Sequence, residues 1–174
     1  MTPISSGFPP IARQDARILI LGTLPGTESL KQQQYYAHPQ NHFWRIMAAL
    51  TGTDSHMSYH ERTQSLMQAG IALWDVCAAA QRAGSLDSAI RSPTPNDFAA
   101  FFALHTEIDL IAFNGRAAEN LFRRHATQLL PQAKAALPLI TLPSTSPAFA
   151  AMRMPQKLTL WAQALQSRIS GTSP

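Results

Sequence analysis

Four short apolar runs, each stopped by small or polar residues, constrain the fold of this chain more than any other feature. The runs are Arg17–Leu21, Ile71–Val76, Ile108–Phe113 and Leu137–Leu142. Continuous apolar runs of about four to eight residues are typical of strands that are buried on both faces, as in parallel sheets. Helical patterns lie between them. The sequence therefore predicts an α/β fold, a three-layer α/β/α sandwich with a central four-stranded parallel sheet.

The helical patterns and the chain termini complete the predicted architecture. Helices are predicted over residues 42–50, 59–69, 95–104, 117–124 and 155–169. For the third helix, Thr94 is the expected N-cap and Pro95 lies in the first turn. We expect one domain over residues 1–174, with residues 1–16 as an irregular lead-in and residues 170–174 as a tail.

Composition narrows the cellular setting and the partners. The formal net charge is +4, which permits contact with a polyanion but does not demonstrate it. The only cysteine is Cys77, which cannot form a disulfide within the chain and is expected to be packed rather than reactive. The first residues do not resemble a signal peptide, and no apolar run reaches the length of a membrane span. We expect a cytoplasmic monomer without a membrane-bound segment.

Polar groups gather where the predicted strands end. The four ends are Gly22–Gly26, Trp74-Asp75, Phe113–Gly115 and Pro143–Ser146. Ligands of parallel α/β sheets bind beyond the carboxyl ends of the strands. Asparagine amides, hydroxyl groups and nearby aromatic rings suit a planar, polar and neutral ligand.

Other site chemistries have little support. His38 and His42 lie four residues apart, as do His56 and His60, but neither pair has the neighbouring glutamate or cysteine pair of a zinc motif. Gly22–Gly26 is neither a dinucleotide-binding nor a P-loop pattern, and the chain has no nucleophile elbow. We therefore expect no metal and no cofactor.

Two segments carry a family resemblance. Gly22–Gly26 followed by Tyr36–Trp44, with the letters YAHPQNHFW, resembles the first motif of the uracil-DNA glycosylase superfamily. The match is closest to the mismatch-specific and hypoxanthine-DNA glycosylases, whose motif runs G-x-N-P-G and then aromatic-A-H-P-x-N-x-F-W. Leu142–Ala148 is similar to the second motif. Two positions depart from the usual pattern: Leu24 stands where mismatch-specific enzymes have an asparagine that positions the attacking water, and Ser144 stands where histidine or asparagine is usual.

The resemblance implies a reaction and a set of site residues. The hypoxanthine branch uses the asparagine of its H-P-x-N-x-F-W segment, so the chain is expected to be a monofunctional DNA glycosylase that flips hypoxanthine out of damaged double- or single-stranded DNA and leaves an abasic site. The catalytic candidates are Asn41 and Asn114. The expected substrate-binding residues are Thr23, Tyr36, Phe43, Asp75, Ser144, Thr145 and Ser146. Phe149 and Arg153 are the expected DNA wedge residues.

Three alternatives remain open at this point. The same fold could remove uracil or several deaminated bases. Leu24 makes a non-catalytic nucleic-acid or nucleotide-binding domain a second possibility. An unrelated small-molecule enzyme is the third. None of the three lysines, Lys31, Lys134 and Lys157, follows a predicted strand end, so we expect no Schiff-base chemistry and no strand cleavage.

Overall fold

A computed structural model describes residues 3–169 of the chain, so the predicted tail at residues 170–174 lies outside the described residues. The strands are β1 (Ile4–Ser6), β2 (Ile18–Gly22), β3 (Ile71–Asp75), β4 (Cys77–Gln81), β5 (Arg91–Pro95), β6 (Leu110–Asn114) and β7 (Leu139–Leu142). The α-helices are α1 (Thr27–Gln32), α2 (Phe43–Thr51), α3 (Tyr59–Gln68), α4 (Phe98–Leu104), α5 (Arg116–His125) and α6 (Met154–Leu165).

The central sheet has four parallel strands in the order β3-β2-β6-β7, which confirms the predicted fold class. Strand β2 is buried along its whole length, and its side chains alternate between two apolar cores. Leu19 and Leu21 pack into the core that holds the phenylalanines of α4 and α5. Ile18 and Ile20 pack into the core formed with α2, α3 and α6. Because a strand exposes alternate residues to opposite faces, these two cores make the three layers.

The strand order places a crevice above the sheet. From β2 the chain crosses to β3 on one side, and the next strand of this sheet, β6, lies on the other side of β2. The order therefore reverses beside β2, and ligands of open α/β sheets bind at such a switch point.

A second sheet is not predicted by the sequence pattern. Strands β1, β4 and β5 form a three-stranded antiparallel sheet in the order β1-β4-β5. The segment expected to be an irregular lead-in therefore contains β1, and β4 directly follows β3. β4 is rich in alanine and β5 contains two prolines, which are poor strand signals; the prolines are tolerated because β5 is an edge strand.

The start of α4 also differs from the prediction. Thr94 does not cap the helix but pairs with Ala79 inside the antiparallel sheet, and Pro95 ends β5. The N-cap is Asp97, whose side chain accepts a hydrogen bond from Ala100 N–H at 3.0 Å. Thr94 and Asp97 can both act as an N-cap, and because Thr94 is taken up by the pairing of β5, Asp97 caps the helix.

Candidate active site

A cavity of about 950 Å³ opens beyond the carboxyl ends of the parallel strands. Nine of the predicted site residues line it: Thr23, Tyr36, Asn41, Asp75, Asn114, Ser144, Thr145, Ser146 and Phe149. Two do not. Phe43 is completely buried behind the cavity wall, and Arg153 is the residue that precedes α6. The roles proposed for all eleven stay predictions at this point.

The Gly22–Gly26 loop is fixed through its carbonyl groups. Gly22 and Thr23 accept hydrogen bonds from the backbone N–H groups that follow β3, and Gly26 accepts one from the backbone of α1. The remaining two carbonyls, of Leu24 and Pro25, both accept hydrogen bonds from the guanidinium group of Arg82. The backbone N–H groups of Leu24 and Gly26 have no partner among residues 3–169, so they remain able to bind a ligand.

Arg82 is the main structural residue of this loop that the sequence reasoning missed. It is 2% exposed although it follows the exposed end of β4. The sequence shows it only as one member of a polar loop, and no local pattern marks it as buried. The burial of Arg82 follows from β4, because that strand starts directly after β3 and carries the chain past the Gly22–Gly26 loop.

Tyr36 lies at the floor of the cavity with an aromatic partner behind it. Its ring stacks on Phe43 with centroids 4.2 Å apart and planes at 25°. Its hydroxyl is buried and makes no hydrogen bond of good geometry with the described residues. Burial and then the charge of Asp75 raise the pKa of this hydroxyl, whereas the nearby Asn114 amide lowers it. A Cβ atom at Gly22 would lie 2.7 Å from this hydroxyl, so a larger residue there would force the Tyr36 side chain to shift. Phe43 thus supports the predicted stacking face.

Asn41 uses one end of its amide for structure. Its Oδ1 accepts a hydrogen bond from Phe43 N–H at 3.0 Å and so caps the first turn of α2. Its Nδ2 has no partner among residues 3–169. The side chain is half-buried at the cavity wall. It therefore presents a fixed donor to whatever occupies the cavity.

Asn114 is bound at both ends by Thr145. Its Oδ1 accepts from Thr145 N–H at 2.9 Å, and its Nδ2 donates to Thr145 Oγ1 at 2.9 Å. The Thr145 carbonyl in turn accepts from His42 N–H at 3.0 Å. The end of β6, the loop after β7 and the start of α2 are therefore connected through one residue. The Asn114 side chain also lies close enough to the Tyr36 hydroxyl to lower its pKa.

The loop after β7 is held from below by α6. Lys157 is 1% exposed, and its amino group donates to the carbonyls of Phe149 at 3.1 Å and Ser146 at 3.4 Å. Trp161 Nε1 donates to Pro143 O at 2.9 Å. The hydroxyl of Ser144 accepts from Ser146 N–H at 3.2 Å. These contacts fix the backbone of the loop and leave Phe149 at its outer edge, 36% exposed.

Asp75 brings a carboxyl group to the cavity at the end of β3. It is 4% exposed, and its Oδ2 has no hydrogen-bond partner among the described residues. Burial, and then the nearby charge of Asp87, raise its pKa from 3.8 to about 7, while Arg82 acts in the opposite direction. Near neutral pH this carboxyl group is therefore present in both its neutral and its ionised form.

Asp87 is a second carboxyl group in the same cavity, and the sequence reasoning did not find it. It begins a 3₁₀ turn, Asp87–Ala89, in the connection between β4 and β5. The residue as a whole is exposed, yet its Oδ1 accepts a hydrogen bond from Thr23 Oγ1 at 2.7 Å. The two residues are 64 positions apart in the chain, so their contact leaves no local sequence signal.

Within residues 3–169 the structure has no group of three or more histidine, cysteine, aspartate or glutamate residues arranged to hold a metal ion. In the same range no helix is both long and apolar enough to cross a membrane. Cys77 is buried, and burial raises its pKa to about 12.

Comparison with known proteins identifies the family of this chain. The family model of the uracil DNA glycosylase superfamily matches residues 9–166. A protein of Methanosarcina acetivorans named hypoxanthine DNA glycosylase is 40% identical over 139 residues, which is 76% of this chain and 88% of that protein. A protein of the same name from Methanosarcina barkeri is 39% identical over 111 residues, 63% of this chain and 70% of that protein.

The fold is also that of a solved structure. It was determined by NMR for a protein of Methanosarcina acetivorans described as a candidate uracil DNA glycosylase. The TM-score is 0.78 at 34% sequence identity, and the match covers 95% of this chain and 99% of the other.

Proposed function

Because this chain belongs to the uracil-DNA glycosylase superfamily, we propose that it is a DNA glycosylase that removes hypoxanthine from deaminated DNA by hydrolysing the N-glycosidic bond. The observation that carries the proposal is Asn41. It stands at the cavity wall with Oδ1 fixed on α2 and Nδ2 free, within a segment that matches the family's motif. The names of the two Methanosarcina relatives support hypoxanthine as the base.

The cavity suits a flipped purine. A base inside a duplex is out of reach of these groups, so it must leave the stack first. Tyr36 then supplies an aromatic face, supported from behind by Phe43. Asn41, Asp75 and Asn114 supply donors and acceptors for a base edge or for water.

Bond cleavage needs stabilisation of the departing base. As the bond between the sugar C1′ and the base nitrogen breaks, the base gains negative charge and the sugar gains positive charge. Fixed donors such as Asn41 Nδ2 stabilise the base without reorganising. No lysine among residues 3–169 lines the cavity, which supports base removal without strand cleavage.

The outer parts of the cavity are proposed to contact the DNA backbone. The hydroxyl groups of Ser144 and Ser146 and the exposed side chain of Arg116 lie at the cavity wall. Phosphate contacts of this kind position a protein on DNA without reading its sequence. We also propose that the chain acts as a monomer, and light scattering with and without DNA tests this.

The test is a panel of matched duplexes that carry hypoxanthine, uracil or xanthine at one position. Each is incubated with the protein and then treated with alkali, so that an abasic site gives a strand break. We expect a break with hypoxanthine. Cleavage of the uracil duplex alone would transfer the proposal to uracil, and no product from any duplex would refute the glycosylase function.

Two variants test the role of Asn41. Asn41→Asp keeps an oxygen that can cap α2 but removes the free donor, so we expect excision to fall by about 10²-fold while the thermal stability is largely kept. Gln40→Ala is the control, since Gln40 is the exposed neighbour outside the cavity lining. Wild-type excision by Asn41→Asp would remove the Nδ2 donor from the mechanism.

A further inference from the structure

The inference concerns the carboxyl group at the cavity mouth and rests on the proposed function. Residue 24 is leucine, so the loop after β2 has no polar side chain at that position to hold the attacking water. The connection between β4 and β5 brings Asp87 to the same loop. Thr23, one residue before Leu24, binds Asp87 Oδ1 at 2.7 Å.

The hydrogen bond to Thr23 orients the carboxyl group. Thr23 is 8% exposed and lies directly after β2, so its hydroxyl is a fixed anchor. It takes one oxygen of Asp87, and Oδ2 has no partner among residues 3–169. The residue as a whole is exposed, and it is also one of the residues that line the cavity.

Several charged or titratable groups face this carboxyl group. Asp75 comes from the end of β3, and the Cys77 thiol comes from the start of β4. Tyr36 comes from the segment between α1 and α2, and Arg82 comes from the connection after β4. The pKa of Asp87 is raised overall, because burial outweighs the hydrogen bond from Thr23 and the charge of Arg82, which both lower it. Arg82 is thus the one cation of this group and favours the ionised form.

The two carboxyl groups differ in ways that separate their roles. Asp75 is 4% exposed and lies at the floor of the cavity, where a neutral carboxyl group can donate to a base. Asp87 lines the same cavity but belongs to an exposed turn in the connection between β4 and β5. Pairs of titratable groups whose environments differ in this way divide acid and base roles between them.

We propose that the Asp87 carboxylate holds the attacking water and accepts its proton. The water oxygen bonds to C1′ of the sugar, the bond from C1′ to the base breaks, and the electron pair leaves with the base. The proton released by the water goes to Asp87 Oδ2. Asp87 thereby supplies the water activation for which the loop position of Leu24 has no side chain, while Asn41 stabilises the base or orients the same water.

The experiment compares single-turnover excision of hypoxanthine by the wild type, Asp87→Asn and Asp97→Asn across pH, with excess protein over duplex. Asp87→Asn keeps an oxygen for Thr23 but cannot accept a proton. Asp97→Asn makes the same chemical change at an exposed N-cap outside the cavity lining, where asparagine caps equally well. Affinity for the hypoxanthine duplex is measured in parallel.

We expect Asp87→Asn to lose about 10²-fold in rate, to bind the duplex as the wild type does, and to lose the rise of rate with pH that the wild type shows on its acid side. Asp97→Asn should match the wild type in all three measurements. A wild-type rate in Asp87→Asn, or a reduced rate that keeps the acid-side rise, would overturn the inference and leave the proposed function intact. A wild type without excision of hypoxanthine would instead overturn the proposed function and this inference with it.

Discussion

Replacing Asp75 by asparagine should stabilise the protein, and the gain should depend on pH. Asp75 is a buried carboxyl group, and Oδ2 has no hydrogen-bond partner among residues 3–169. Burial raises its pKa from 3.8 to about 7. An isosteric amide fills the same space without ever carrying a charge, so the substitution removes the cost of ionising this group inside the protein.

The size and sign of the effect follow from the two pKa values. The pKa of Asp75 in the folded chain is about 3 units above its value of 3.8 in the unfolded chain. One pKa unit corresponds to about 1.36 kcal/mol, so the substitution can raise the free energy of unfolding by at most about 4 kcal/mol. Between about pH 4 and pH 7 the unfolded chain has lost this proton and the folded chain still holds it, so the contribution of Asp75 to stability falls as pH rises. Above about pH 7 both states are ionised and the loss is complete.

Urea denaturation of the wild type and Asp75→Asn at about pH 4 and about pH 8 measures this effect. We expect the variant to gain about 2 to 4 kcal/mol over the wild type at the higher pH and little at the lower. Asp97→Asn makes the same chemical change at an exposed carboxyl group and is the control. An equal change in the unfolding free energy of Asp75→Asn at both pH values would refute the reasoning, because no proton would then be linked to folding at this position.

Two further substitutions test the geometry of the cavity. Gly22→Ala places a Cβ atom 2.5 Å from Asp75 Oδ1 and 2.7 Å from the Tyr36 hydroxyl, so we expect a loss of about 1 to 3 kcal/mol in urea denaturation together with weaker excision. Unchanged stability would contradict the close packing of these groups. Phe149→Ala should slow excision from duplex DNA more than from single strands, because an apolar wedge replaces the stacking that the flipped base leaves. Leu104→Ala removes an even more exposed apolar side chain away from the cavity, and an equal effect of both changes would exclude a wedge role for Phe149.

The central sheet could be predicted because its strands are buried on both faces. Residues such as Leu19 and Ile20 lie in opposite cores, so both must be apolar and the strand reads as a continuous run. The ends of such strands meet at one edge, which also made the positions of Asn114 and Asp75 predictable. These parts of the fold and site follow from patterns that are local in the chain.

The antiparallel sheet and its connection could not be predicted in this way. The alanines of β4 and the prolines of β5 carry little strand preference, and pairing with the rest of the structure overrides it. The burial of Arg82 and the contact of Asp87 with Thr23 depend on that pairing. They join positions more than 50 residues apart and are visible only after the chain has folded.

The hydrogen bonds of Thr145 limit where residues can be inserted into or deleted from the loop after β7. Its three hydrogen bonds to Asn114 and His42 set the spacing between the loop after β7 and the segment that contains Asn41. An insertion or deletion between Leu142 and Thr145 would shift that register and separate the two asparagines. One placed beyond Ser146, where the chain passes exposed residues on its way to α6, would leave their spacing intact. Engineering of the DNA-facing part of this loop therefore has a natural boundary at Thr145, and a transfer of the site to another scaffold must carry this threonine with both asparagines.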